Sequence, residues 1–281
     1  MKKALFVVSY ASWISQDFRS SLDPDTWDVI KNYGFDLPSK LGKYEKVVWW
    51  MNAQHAARVR RALPSAYFMS PGAKWLSGVP RSLTKRQIRT ETLEEFWKAP
   101  PAFDRIWAKP AEAKIEDFPA DWYSPDEVIA LGDDLSLPAG SFVQWTDTKL
   151  DIDWEHRFYV LNGQVVTGSP YLVDGVTYWD GYEDPRYSSR FEEAEAFASR
   201  AVTVLGDNQP SAYTLDVGYD STVGWLVIEG NPAWCSGVYG ADPEKVIDVL
   251  ERSCSDDGKP EFEWVPDAYL QRIADRKRLL R

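Results

Sequence analysis

Asp216, Glu229 and Asn231 form the most informative chemical pattern in the sequence. Ala212-Tyr-Thr-Leu-Asp-Val217 and Trp225-Leu-Val-Ile-Glu229 read as the two strands of a hairpin joined by a polar turn. Alternate side chains of a strand share a face, so Glu229 and Asn231 project together, and Asp216 lies near them across the ladder. Two carboxylates and an amide are a ligand set that Mg²⁺ accepts when it also keeps sites for water and phosphate oxygens. Glu229-Gly-Asn-Pro-Ala then ends the strand in a bend that presents the set outward. The spacing also fits a solvated hairpin with acids along its polar face.

Two further groups of residues could handle phosphate. Lys109 and Lys114 flank Pro110-Ala-Glu-Ala just after a short apolar strand, and a loop that bends back brings both ammonium groups to one anion; an ordinary charged hairpin has the same pattern. In Trp154-Glu-His-Arg-Phe-Tyr-Val, Glu155 and Arg157 share a face, which suits either an anion site or a surface ion pair. His156 points the other way and reads as packing.

Scarcity narrows the chemistry. The chain has 281 residues with two histidines, His55 and His156, and two cysteines, Cys235 and Cys254. That stock cannot build a cysteine-rich or three-histidine zinc site or an iron-sulfur cluster. A net charge of −11 repels polyanions and argues against nucleic acid or an anionic membrane as partner. Unpaired cysteines, and a leading apolar run of only Ala4 to Val8, suggest a cytoplasmic protein without a membrane span.

The elements that must position these residues follow from periodicity. Ala4 to Ser9 and Val47 to Met51 are buried-type strands of a small α/β unit, followed by a basic helix from Ala56 to Leu63. Pro and Gly between Pro64 and Pro80 suggest a boundary, giving lobes at 1–80, 81–139 and 140–281. The second lobe reads as helical through Thr84 to Arg89 and Thr92 to Trp97, with a strand at Arg105–Lys109 and a short strand or helix around Val128–Leu131. In the third, Asn162-Gly163 marks a hairpin, Ser189–Leu205 an amphipathic helix, and Asp242-Pro243 a capped helix start. Asp267 to Arg281 reads as a basic amphipathic helix. Trp234, Ser236 and Tyr239 are expected to line an acceptor cleft, while Trp49, Trp50, Tyr67 and Trp75 suit buried packing or the lining of a cleft.

Together these pieces resemble the ATP-grasp superfamily, through Ile106-Trp-Ala-Lys-Pro110, Glu155 to Val166, Leu215-Asp-Val-Gly218 and Val227-Ile-Glu-Gly-Asn-Pro232, in that order. Lys109, Lys114 and Arg157 further resemble a bacterial and phage clade marked by one arginine and two lysines. The resemblance implies an α+β/α/β ATP-grasp fold: an N-terminal α/β pre-grasp lobe and two α+β lobes that sandwich ATP. It implies Asp216, Glu229 and Asn231 as Mg²⁺ ligands, and Lys109 and Lys114 on the ATP phosphates. Gln144 and Trp145 fall in the adenine segment, Glu155 faces the ribose or a phosphate lysine, and Arg157 meets the transferred phosphoryl group or the acyl intermediate. The glycine-rich phosphate loop common in the superfamily has no counterpart between Lys109 and Phe118.

The activity so implied is ATP-dependent carboxylate-amine ligation through an acyl phosphate, on small-molecule or peptide carboxylate and amine substrates. Such chemistry needs charge neutralisation rather than a side-chain nucleophile, which suits a chain poor in histidine and cysteine. The alternatives are an ATP-grasp phosphotransferase and a non-catalytic peptide- or glycan-binding protein. Neutral isosteres at Asp216 or Glu229 are expected to remove turnover and leave the fold largely intact.

Overall fold

The computed structural model describes residues 1–9, 12–32, 41–178, 185–256 and 258–275. The chain divides into two compact units, Met1–Pro71 with Ile152–Trp264, and Gly72–Asp151 with Val265–Arg281. Among the described residues no helix is long and apolar enough to cross a membrane.

The first sheet is parallel and small. β1 (Lys3–Val8) is buried from Ala4 onward and lies between β2 (Trp27–Asn32) and β3 (Lys46–Trp50). A strand paired on both sides and covered on both faces must be apolar throughout, as Ala-Leu-Phe-Val-Val is. β2 escapes sequence reading because Trp-Asp-Val-Ile-Lys-Asn has neither a continuous apolar run nor a clean alternation. The helix Ala53–Ala62 starts at Asn52, whose side chain accepts the His55 main-chain N–H.

The second unit has a four-stranded antiparallel sheet ordered β4 (Arg89–Thr92), β7 (Phe142–Thr146), β5 (Ile106–Pro110), β6 (Asp121–Tyr123). The expected helix across residues 84–89 is absent. Lys85 instead adopts φ +58°, ending a one-turn helix at Arg81–Thr84, and Arg89–Thr92 pairs with β7. Thr92 then caps the helix Leu93–Lys98, accepting the Glu95 N–H while Glu95 reaches back to the Thr92 N–H. The segment around Val128 is helical, Pro125–Asp134, with the same reciprocal cap at Ser124 and Glu127. Of the expected terminal helix, Ala268–Asp275 is formed, with Leu270 and Ile273 buried; residues 276–281 lie outside the described residues.

The third sheet belongs to the first unit and runs β10-β9-β8-β11-β12. β8 (Ile152–Leu161) and β9 (Gln164–Val173) turn at Asn162 (φ +49°) and Gly163 (φ +74°), as the Asn-Gly pair requires. β9 continues to the short β10 (Val176–Thr177), and β11 (Ala212–Asp220) and β12 (Gly224–Asn231) form the second hairpin. The helix Phe191–Leu205 packs a stripe of Ala194, Ala198, Ala201 and Val202 against this sheet. The helix Pro243–Ser253 starts, as expected, at Asp242 and also packs against β8 and β11.

His156 is fully buried, in ring contact with Phe158, Phe191 and Trp225. Neither of its ring nitrogens has a hydrogen-bond partner. Burial pushes its pKa down to about 4. The unfolded chain therefore binds an extra proton as pH falls below the ordinary value of 6.5, so stability is highest above pH 6.5 and declines toward pH 4. His156→Phe should remove about 3 kcal/mol of that decline, read by denaturant titration at pH 7 and pH 4. An unchanged pH dependence would contradict this burial.

Candidate active site

Register brings Arg157, Asp216 and Glu229 into one row. Asp216 on β11 pairs with Arg157 on β8 and with Glu229 on β12. The second pairing depends on a bulge. Counted from the turn pair Asp220 and Gly224, a regular hairpin puts Ile228 opposite Asp216 and turns Glu229 to the far face. The register shift between Asp216 and Val217 adds one residue on β12, so Glu229 stands opposite Asp216. Gly218 makes room for it: a Cβ there would lie 2.6 Å from Ile228 Cδ1. This explains the glycine in Leu215-Asp-Val-Gly218.

The side chains close on one another. Arg157 donates from Nε to Asp216 Oδ1 at 2.8 Å and from Nη2 to Oδ2 at 2.7 Å, a two-pronged bond with both residues buried. Asn231 Nδ2 donates to Asp216 Oδ2 at 3.1 Å and to Glu229 Oε1 at 2.8 Å. Two carboxylate oxygens thus converge on a single nitrogen, a point that a small hard cation could occupy with the amide turned to present its oxygen. The donor set fits Mg²⁺. Among the described residues no cluster of three or more His, Cys, Asp or Glu side chains could hold a metal ion.

Burial alone would weaken the Arg157 charge, but Asp216 overrides it and holds the guanidinium well above its ordinary pKa. Two tyrosines flank that charge. The Arg157 guanidinium carbon lies 4.9 Å from the Tyr171 ring centre and 5.5 Å from that of Tyr239, and the two rings are 4.9 Å apart. Burial raises the pKa of both phenols, and Glu155 adds to the rise, which puts its carboxylate near them. Arg157 forms a buried ion pair with Asp216 rather than a surface pair. Tyr239 sits at φ +50° over Gly237, where a Cβ would lie 2.9 Å from its ring.

Trp234 does not line a cleft as expected. It is fully buried against Phe68 and Trp264, with its indole N–H on the Met69 carbonyl. Ser236 is buried too, its hydroxyl bonded with Thr214 at 2.8 Å.

The other residues that the sequence proposes for the site, Lys109, Lys114, Gln144 and Trp145, belong to the second unit. Lys109 on β5 pairs in register with Gln144 on β7, and Ala108 with Trp145. β7 is central, so residues 144 and 145 are laddered on both sides. Trp145 joins the core of that unit and donates its indole N–H to Glu91 at 2.6 Å; Gln144 donates to Thr90 at 3.3 Å. Lys114 is exposed.

Sequence reasoning missed Glu112 and Tyr171. Glu112, between the two lysines, accepts the main-chain N–H groups of Ala73 and Asp267, and burial with nearby Asp267 pushes its pKa up to about 8. These bonds tie a glycine-free loop to two other segments of its unit. A glutamate between lysines looks solvated in a sequence, and only burial distinguishes it. Tyr171 sits on a strand with no motif.

The fold is that of the ATP-grasp proteins. The description "ATP-grasp domain, R2K clade family 2" matches residues 83–249, and the chain belongs to that family. No curated protein sequence matches it. Among solved structures, D-alanine–D-alanine ligase from Bacillus anthracis complexed with ATP aligns with a TM-score of 0.52 at 13% identity, over 90% of this chain and 97% of that one. The same ligase in a second structure gives 0.50 at 13% identity over the same shares. D-cycloserine synthetase gives 0.49 at 15%, over 98% and 99%.

Two substitutions test the electrostatics. Asp216→Asn strands a buried guanidinium and should cost about 3 kcal/mol in stability, with much of it recovered in Asp216→Asn/Arg157→Met, by chemical denaturation. The fold is thus less tolerant at Asp216 than sequence alone implies. For Glu112 the sign is opposite to that of an ordinary acid: its pKa rises on folding, so stability falls as pH increases from the ordinary 4.5 through about 8. Glu112→Gln should raise the melting temperature at pH 8, and the gap should close by pH 5.

Proposed function

We propose that the protein is an ATP-dependent carboxylate-amine ligase that joins its substrates through an acyl phosphate. Membership of the ATP-grasp family supports ATP as the energy source. The observation that carries the reading is the row Arg157, Asp216 and Glu229, closed by Asn231, on adjacent strands of one sheet. The ligase neighbour solved with ATP shares the fold and agrees with this reading.

Asp216, Glu229 and Asn231 would hold Mg²⁺, whose charge would offset that of the phosphate oxygens. Lys109 and Lys114 bind the phosphates as point charges, and the Glu112 anchor keeps their loop ordered without glycine. Gln144 and Trp145 fix the end of β7, from which the chain contacts adenine. Glu155 faces the ribose or a phosphate lysine.

Arg157 orients the transferred phosphoryl group. Its fork is shared with Asp216, so recruiting it toward phosphate lengthens that pair while Tyr171 and Tyr239 keep the guanidinium plane in place. The substrate carboxylate takes the γ-phosphoryl group as ADP leaves, and the amine then attacks the acyl carbon, forming C–N as C–O breaks, with phosphate leaving and the amine proton passing to phosphate or water. Positioning and charge account for such a reaction without a side-chain nucleophile. The N-terminal segment 1–80 shapes the choice of substrate.

Mg²⁺-ATP should raise the melting temperature of the wild type, and Glu229→Gln should abolish the rise. With pooled amino acids and peptides the wild type should release ADP and free phosphate and form an amide, whereas a phosphotransferase would leave a stable phosphorylated product. Full ATP-dependent turnover in Glu229→Gln would overturn the metal assignment.

A further inference from the structure

The sheet of the second unit presents different chemistry on its two faces. Ile106 and Ala108 on β5 and Val143 and Trp145 on β7 share a buried core with Phe96 and Val128, from the helices Leu93–Lys98 and Pro125–Asp134. Alternation turns Trp107 and Lys109 to the opposite face, where they stand in register with Thr146 and Gln144 of β7. Trp107 also lies directly across from Trp122 on β6, and both tryptophans are only partly buried. The Lys109 ammonium is 5.9 Å from the centre of the Trp107 ring, so a positive charge and an aromatic surface are neighbours on this face. The tryptophan of β5 and β7 that shares a side with Lys109 is thus Trp107, and Trp145 faces the core.

The polar groups of β7 that could read the edge of a base are largely committed. Because the strand lies between β4 and β5, its main chain from Val143 to Trp145 serves two ladders. The Gln144 amide donates to Thr90 Oγ1 at 3.3 Å, and the Thr146 hydroxyl accepts the Thr148 N–H at 3.2 Å. What this face offers to a planar ring is chiefly another ring. Stacking on an aromatic side chain tolerates a change of base, since every base has a π-face. The step from Trp107 to Lys109 is about 7 Å along the strand, and the flexible lysine stem carries its charge farther. Base and phosphates of one nucleotide can therefore be met by two residues of one strand.

Resting on the nucleotide use in the ligase reading above, we infer that the base of the nucleotide stacks on Trp107 while Lys109 meets the phosphates, so that the site holds a purine by its face and takes GTP as well as ATP. The nucleoside triphosphate is then selected by an aromatic surface and a charge, with little discrimination between adenine and guanine.

The test is calorimetric titration of the full chain with Mg²⁺-ATP, Mg²⁺-GTP and Mg²⁺-tripolyphosphate. ATP and GTP should bind the wild type within about threefold of each other, and Trp107→Ala should weaken both by about tenfold, the loss of one aromatic stack. Trp107→Phe, which keeps an aromatic face, should recover most of that loss. Tripolyphosphate has no base and should bind the wild type and Trp107→Ala alike. Binding of ATP without GTP, equal ATP affinity in the wild type and Trp107→Ala, or a loss of tripolyphosphate binding that matches the loss of ATP would overturn the proposal. If Trp107→Ala fails to fold, Trp107→Leu takes its place, since it keeps apolar bulk without an aromatic face. None of these titrations requires amide formation. The expected binding pattern without an amide product counts against the ligase reading alone, whereas a wild type that binds neither nucleotide overturns both.

Discussion

A buried arginine-aspartate pair organises the sheet at its functional face. Taking the Arg157 and Asp216 charges out of water costs several kcal/mol for each ion, and the cost is offset only where geometry and extra hydrogen bonds are good. Both Asp216 oxygens are engaged by the Arg157 fork, and one accepts a further bond from Asn231. The arginine is flanked by Tyr171 and Tyr239 in place of water. The surrounding features follow from this requirement. Tyr239 needs its positive φ and the bare Gly237 beneath it.

The pair also bears on the metal set proposed for Asp216, Glu229 and Asn231. Asp216 serves two partners, the arginine on one neighbouring strand and the Asn231–Glu229 edge on the other. An aspartate committed only to arginine would be structural, and one committed only to a cation would leave Arg157 buried without a counter-charge. Sharing makes the state of each partner depend on the other. In the proposed reaction a cation that drew on Asp216 would weaken its hold on Arg157 and leave the guanidinium freer to meet phosphate oxygens. The coupling is electrostatic and local, because both partners lie in direct register with one carboxylate.

The sequence makes some of this visible and hides the rest for identifiable reasons. Asn162-Gly163, Asp242-Pro243 and the apolar run of β1 are local signals, and the structure carries each of them. The pairing of Asp216 with Glu229 is non-local in a stricter sense: alternation gives the face of Glu229 relative to Asn231, but the face relative to Asp216 depends on a one-residue bulge that no period reports. β4 was hidden because Lys85 leaves the helical region and Arg89–Thr92 gains its stability from β7, not from its own composition. Trp234 was misjudged because a tryptophan beside a glycine-bearing loop can line a cleft or anchor it, and only its contacts with Phe68 and Trp264 decide.

Burial is the quantity that separates residues of one type into different roles. His55 and His156 are both held neutral by desolvation, yet the ring of one lies within hydrogen-bond distance of Asn52 while the other is enclosed by aromatic rings without a hydrogen-bond partner. Among the acids, Asp216 meets a guanidinium in the interior, whereas Glu112 lies near another carboxylate and burial pushes its pKa up to about 8. A net charge of −11 is silent on these distinctions, since it sums over groups whose charge the fold preserves and groups whose charge it suppresses. The charge that matters at the site is what remains after each buried group has been assigned a partner. At the strand row Asp216 is engaged by Arg157 and Asn231, and Glu229 by Asn231, so under the proposed function a divalent cation would meet both carboxylates through the same amide.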